Sequence, residues 1–157
     1  MSDYWHQHNL RVQYKDTDQM GVVHHGNYIT WFEVARIEWM RNSGMNYRHM
    51  EELGLLLPVL DVNVSYIKSA KFDDCVALFT KVASFSPVRL EFYYEARKIT
   101  EEEFHKKGEG IKEPFGDLLA KGTTKHMWVN QDFKPARLHK VAPEILQVLE
   151  KTARVPQ

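Results

Sequence analysis

The stretch between Gly26 and Gly44 limits what this chain can fold into more than any other. Tyr28, Trp31, Phe32, Ala35, Trp39 and Met40 recur at helical spacing, and Ile29, Val34 and Ile37 widen the stripe. Glu33, Arg36, Glu38 and Arg41 take what is left of the circumference. A helix apolar over most of its girth must be enclosed by other structure rather than lie on a surface. Asn27 is a favourable N-cap type and Gly44 a favourable residue just past a helix end, so the helix is expected from about Gly26–Asn27 to just before Gly44.

The enclosing material reads as strands. Leu10, Val12 and Tyr14 alternate with Arg11, Gln13 and Lys15, a first strand ending at Tyr14. A short helical segment is expected within Tyr47–Leu57, closed by Pro58. Val59–Ile67, Val76–Phe85, Val88–Arg97 and Leu118–Val129 carry β-branched and aromatic residues in strand-like runs, with Ser86-Pro87 breaking the middle pair and Gly122 suggesting a bulge. Thr100–Pro114 is charged and Gly-bearing and reads as a long solvated loop. Pro143–Lys151 has the pattern of a short amphipathic helix. One strand, a long helix, four strands and a terminal helix make an α+β chain with an antiparallel sheet of about five strands wrapped round one central helix. The 157 residues suit a single domain, 1–157.

Several function classes fall away at this stage. Twenty-one Lys and Arg balance twenty-one Asp and Glu, which argues against a general nucleic-acid binder. No apolar run reaches the roughly 18 residues of a membrane span, and the first residues lack a signal-peptide pattern, so a cytoplasmic protein is expected. Cys75 is the single cysteine; beside Asp73 and Asp74 its thiol is expected to be a poor nucleophile. His6, His8, His24 and His25 lack the spacing and companion ligands of a metal site, so no metal is expected.

Chemistry is expected in Asp16-Thr17-Asp18-Gln19-Met20-Gly21, a turn that delivers carboxylates just ahead of the long helix. Helix N-terminal amides favour negative charge and can stabilise charge developing on a carbonyl oxygen. By turn grammar alone Asp18 reads first as an Asx-turn residue and only second as a catalyst. Asp16, nearer the strand, reads as structural, Tyr14 and Tyr28 as core or pocket wall, and Glu33 and Arg36, three apart, as a buried pair. Lys68, Lys71, Arg89 and Arg97 are candidates for phosphate contacts, with solvated surface an equal reading.

Tyr14, Asp16, Thr17, Asp18, Gly21, Val22, Val23, His25 and Tyr28 together form Y-x-D-T-D-x-x-G-V-V-x-H-x-x-Y. This resembles the signature of hot-dog-fold acyl-CoA thioesterases of the 4-hydroxybenzoyl-CoA thioesterase type, nearer the bacterial subgroup associated with the Tol–Pal system. The resemblance continues through Phe32-Glu33-Val34-Ala35-Arg36 and through Val64–Asp74, which is similar to the family's V-x-Y-x-x-P-A-x-x-D-D turn, with Ser69 where proline is usual. The Thr100–Pro114 loop is longer than the family's.

The resemblance implies hydrolysis of an acyl-CoA thioester, with Asp18 as nucleophile or general base and the backbone N–H at His25 polarising the thioester carbonyl. It implies no cofactor beyond the CoA carried by the substrate. It also implies a subunit-interface site, hence a homodimer or a homotetramer. Alternatives are a carrier-protein thioester as substrate, or a non-catalytic acyl-CoA-binding or interaction module, since fold alone does not settle chemistry.

Overall fold

The apolar stripe folds as expected into helix α1, Gly26–Asn42, closed by a Schellman motif: Met45 N–H bonds the Met40 carbonyl, Gly44 N–H bonds that of Arg41, and Gly44 has φ +94°. The structure, a computed structural model, describes residues 4–106 and 110–153. The strands are β1 (His6–Arg11), β2 (Val59–Tyr66), β3 (Cys75–Phe85), β4 (Arg89–Ile99) and β5 (Asp117–Met127). They form one antiparallel sheet in the order β1-β3-β4-β5-β2. Short helices α2 (Tyr47–Glu52), α3 (Glu101–Phe104) and α4 (Leu138–Val141) and the longer α5 (Pro143–Ala153) complete the chain. This is the α+β hot-dog arrangement.

Tyr28, Trp31, Phe32, Ala35, Trp39 and Met40 of α1 are buried in one cluster with Val76, Leu78, Leu90, Phe92 and Leu119 of the sheet. Phe32 stacks on Tyr94 at 4.8 Å, and Trp39 meets Phe92 edge-on at 5.2 Å. Each such fully buried side chain contributes about 1.5–3 kcal/mol of transfer free energy, so this stripe anchors the helix. Ile145 and Leu149 of α5 join the same core. The enclosure is one-sided, however: Ile29 and Val34 remain exposed. A helix apolar nearly all round is therefore covered here on its sheet side only.

Other boundaries differ for identifiable reasons. The first strand stops at Arg11, because the chain turns into a 3-10 segment at Tyr14–Asp16 that leaves Tyr14 exposed. His25, not Asn27, is the N-cap, and the Asn27 amide instead donates to the Asp16 carbonyl at 2.8 Å. The second helical segment ends at Glu52, where Gly54 turns the chain with φ +72°. Gly122 sits in regular pairing with Val64 and Tyr94, and the irregularity in β4–β5 falls at Ala96/Arg97 instead. What Gly122 provides is room, since a Cβ there would lie 2.5 Å from the Asn63 carbonyl oxygen.

The 100–114 segment is not the solvated loop expected. Thr100 and Glu103 cap α3 reciprocally, and Phe104, Ile111 and Phe115 pack with Trp5 over Cys75, Ala77, Phe79 and Ile99, a second apolar cluster. Residues 107–109 of that expected loop lie outside the described residues.

Candidate active site

The turn between β1 and α1 divides its two carboxylates. Asp16 serves the turn through one carboxylate oxygen and its backbone carbonyl. Its Oδ2 accepts the Gln13 N–H at 2.8 Å, and its carbonyl accepts the His24 N–H at 2.9 Å as well as the Asn27 amide. Asp18 forms an Asx turn: Oδ1 accepts the Met20 N–H at 2.9 Å while its backbone N–H and carbonyl bond Val22 and Gly21. Gly21 holds φ +79°, a region that lets the chain reverse at no steric cost. The Asx turn anticipated as the plain reading is present, and among the described residues it uses one of the two carboxylate oxygens.

Val22 and Val23 then run beside the 70–71 segment, with Val23 N–H bonded to the Ala70 carbonyl at 2.9 Å. His25 starts α1 with helical φ −56° and ψ −34° and no side-chain cap. The Gly26 N–H folds back onto His24 Nδ1 at 3.1 Å, and the two imidazoles stack at 4.3 Å. Among the described residues nothing accepts the His25 N–H. Tyr66, at the end of β2, donates its hydroxyl to the His25 carbonyl at 2.9 Å. Tyr28, one turn into the helix, accepts the Ala70 N–H at 3.0 Å on its phenol oxygen. Burial pushes the Tyr28 pKa up, partly offset by that N–H, so the phenol stays protonated.

Asp18, Val22, Val23, His25, Tyr28 and Tyr66 line one open cleft of about 310 Å³, together with Ile67, Lys68 and Ser69. Sequence reasoning named Asp18 and His25, and the fold brings them to the same cleft. Tyr66 was missed as a site residue. Its one signal is its place in the V-x-Y pattern, and nothing in that pattern reveals a bond to a residue 41 positions away.

The remaining candidates lie elsewhere. Glu33 is exposed while Arg36 is buried, and the two form no ion pair among the described residues, contrary to the expected pairing. Instead Arg36 shares the core with Tyr94, Thr124 and His126, a polar group the sequence reading did not anticipate. Thr124 Oγ1 lies 2.6 Å from the Tyr94 hydroxyl and 2.7 Å from His126 Nε2. Burial, then the Arg36 charge, lowers the His126 pKa to about 4, and the Leu57 and Pro58 carbonyls offset this only in part.

Cys75 is buried, and its thiol pKa is raised first by that burial, with Asp73 a lesser cause than expected. Arg97 is engaged by Glu95 and the Gly116 carbonyl, whereas Lys68 stands at the cleft. Among the described residues no three His, Cys, Asp or Glu side chains gather as metal ligands would, and His6 and His8 sit on β1 away from the stacked His24 and His25. No helix among them is long and apolar enough to cross a membrane.

Comparison with known proteins places the chain in a family. A putative acyl-CoA thioesterase, YneP, of Bacillus subtilis is 31% identical over 92% of this chain and 95% of its own length. The crystal structure of a DHNA-CoA thioesterase from Staphylococcus aureus superposes with a TM-score of 0.82 at 33% identity, covering 96% of this chain and 92% of that one. The acyl-CoA thioesterase YbgC of Haemophilus influenzae is 34% identical over 53% of this chain and 62% of its own length. The family model described as thioesterase-like superfamily matches residues 12–156, and the chain belongs to that superfamily.

Proposed function

We propose that this protein hydrolyses acyl-CoA thioesters to the free acid and CoA. The observation that carries the proposal is the meeting of Asp18 and the start of α1 in one cleft. The carbonyl oxygen of the thioester takes the free His25 N–H, which lies at the positive end of the α1 dipole. Asp18 uses its unengaged oxygen in one of two ways. As general base it draws a proton from a water whose oxygen attacks the carbonyl carbon; as nucleophile it attacks that carbon itself, and water then cleaves the resulting anhydride. In either route the C–S bond breaks, the CoA thiolate leaves and takes up a proton, and no cofactor enters. Membership of the 4-hydroxybenzoyl-CoA thioesterase type, on the Tol–Pal side, is proposed on the Y-x-D-T-D-x-x-G-V-V-x-H-x-x-Y motif, and a cytoplasmic setting on the CoA substrate.

The active form is proposed to be at least a homodimer. β2 is an edge strand whose Val59, Leu60 and Val62, with Ile67 just beyond it, are all at least 41% exposed, a surface that a second copy would cover.

Thiol release from a panel of short, long and aromatic acyl-CoAs tests the reading, with Asp18→Asn run beside the wild type. Wild-type turnover that collapses in a folded Asp18→Asn supports both the activity and the role of Asp18. Binding of acyl-CoA without turnover would replace the proposal with a binding module, and turnover only of carrier-protein thioesters would move the substrate.

A further inference from the structure

We infer that Tyr66 is a positioning residue for this chemistry: its hydroxyl holds the His25 carbonyl and so steadies the start of α1, from which the His25 N–H faces the Asp18 cleft. The inference rests on the reading of Asp18 and His25 given above. It starts from a gap in the helix. An N-terminus is ordinarily steadied by a side-chain oxygen at the N-cap, and here His25 supplies none. The Gly26 N–H is turned back to His24 Nδ1, and the Tyr28 N–H reaches the His25 carbonyl at only 3.3 Å. The shorter grip on that carbonyl is the Tyr66 hydroxyl, at 2.9 Å.

Tyr66 is suited to this. It is the last residue of β2 and pairs with Ala120 of β5, so its backbone is fixed by the sheet. Its ring meets Tyr28 at 5.5 Å and His25 at 6.2 Å, both edge-on, which limits where the hydroxyl can point. Tyr28 is in turn fixed by its bond to Ala70. The peptide joining His25 to Gly26 is thus gripped on its carbonyl by Tyr66 and on its N–H by His24. Holding that plane holds the His25 Cα, the pivot from which the preceding peptide carries its N–H, and the helical φ and ψ of His25 set the direction of that N–H from there. A donor to a developing oxyanion accelerates a reaction only if it is held in place beforehand.

The test is Tyr66→Phe, which removes the hydroxyl and keeps the ring. Activity on the best acyl-CoA is measured together with the amide ¹⁵N order parameter of His25. The expected result is an unchanged melting temperature and KM, a fall in kcat of about tenfold to a hundredfold, and a His25 order parameter dropping from about 0.85 to below about 0.6. An unchanged order parameter overturns the inference even if kcat falls, and so does a loosened amide with full kcat. A KM rise that accounts for the whole loss would make Tyr66 a substrate contact and also overturn it. Wild-type protein that turns over no thioester, with the amide still loosened in Tyr66→Phe, sinks the thioesterase reading while the contact itself stands.

Discussion

At its N-terminus α1 opens onto a cleft where Asp18, His25 and Tyr66 keep contact with water; about three turns along, Arg36 lies with Tyr94, Thr124 and His126 where water is excluded. In sequence the two sets look equally functional, since each offers a histidine, a tyrosine and a charged group. Their construction differs. In the buried set the Thr124 hydroxyl is shared between Tyr94 and His126, and nothing there can be reached by a substrate. The buried set leaves Arg36 Nε without a partner among the described residues, sealed from solvent, whereas the open set leaves one Asp18 oxygen and the His25 N–H without partners where a substrate can reach them. His126, whose pKa is lowered to about 4, belongs to the sealed set. A shifted pKa therefore points here to packing, and unspent hydrogen-bonding capacity at an accessible surface points to chemistry.

That contrast predicts that changes in the open set alter rate and changes in the sealed set alter stability. The largest effect is expected from Asp18→Asn, which should lower kcat/KM by about 10²–10⁴-fold with little change in urea midpoint. A large loss of stability in this variant would merge the two neighbourhoods.

The next effect separates them by pH. His126 stays neutral in the fold down to about pH 4, while the unfolded chain takes up that proton near 6.5. Between those values the unfolded state binds more protons, so the stability is complete above 6.5 and lost as the pH falls, amounting to about 3 kcal/mol by pH 4. Urea unfolding at stepped pH should show this loss in the wild type and a shallower one in His126→Gln. Equal slopes would mean that His126 is not held neutral by the core.

How much of this was legible in the residues depended on whether a feature is local. The α1 stripe is local, and so is the turn from Asp16 to Gly21; both appear at the expected positions. The separation of Asp16 from Asp18 was legible too, because the residue nearer the strand closes the turn. What depends on pairing order was hidden. Nothing in the alternation of Val59–Tyr66 says that β2 forms the sheet edge, or that its last residue reaches the start of α1. Glu33 and Arg36 stand at the spacing of a helical ion pair, but burial claims one and leaves the other in solvent. The charged 100–114 segment looked solvated because Phe104, Ile111 and Phe115 are widely spaced; they converge only when the segment folds over β3.

A smaller effect is expected from Thr124→Val, which keeps the shape and removes the hydroxyl serving two partners. Leaving the Tyr94 hydroxyl and His126 Nε2 unpaired should cost about 1–3 kcal/mol, with kcat/KM within about twofold of wild type. A thermal melt and the thioester assay check the two halves of that statement, and a kcat loss without destabilisation would show the buried group communicating with the cleft.

The smallest expected effect lies inside the turn itself, at Asp16→Ala. The carboxylate caps one backbone N–H, that of Gln13, so its loss should cost about 1 kcal/mol. The bonds from His24 and Asn27 end on the Asp16 backbone carbonyl, which alanine retains, so the lead into α1 is kept. Activity should therefore stay within a few-fold of wild type, in contrast with Asp18→Asn two residues on. The comparison is sharp because both residues are partly buried carboxylates of one short turn, each with one oxygen accepting a backbone N–H, and of the two Asp18 lines the cleft. Should Asp16→Ala abolish turnover while the melt moves little, the reacting carboxylate would be Asp16, and the place of Asp18 in the cleft would be no guide to the chemistry.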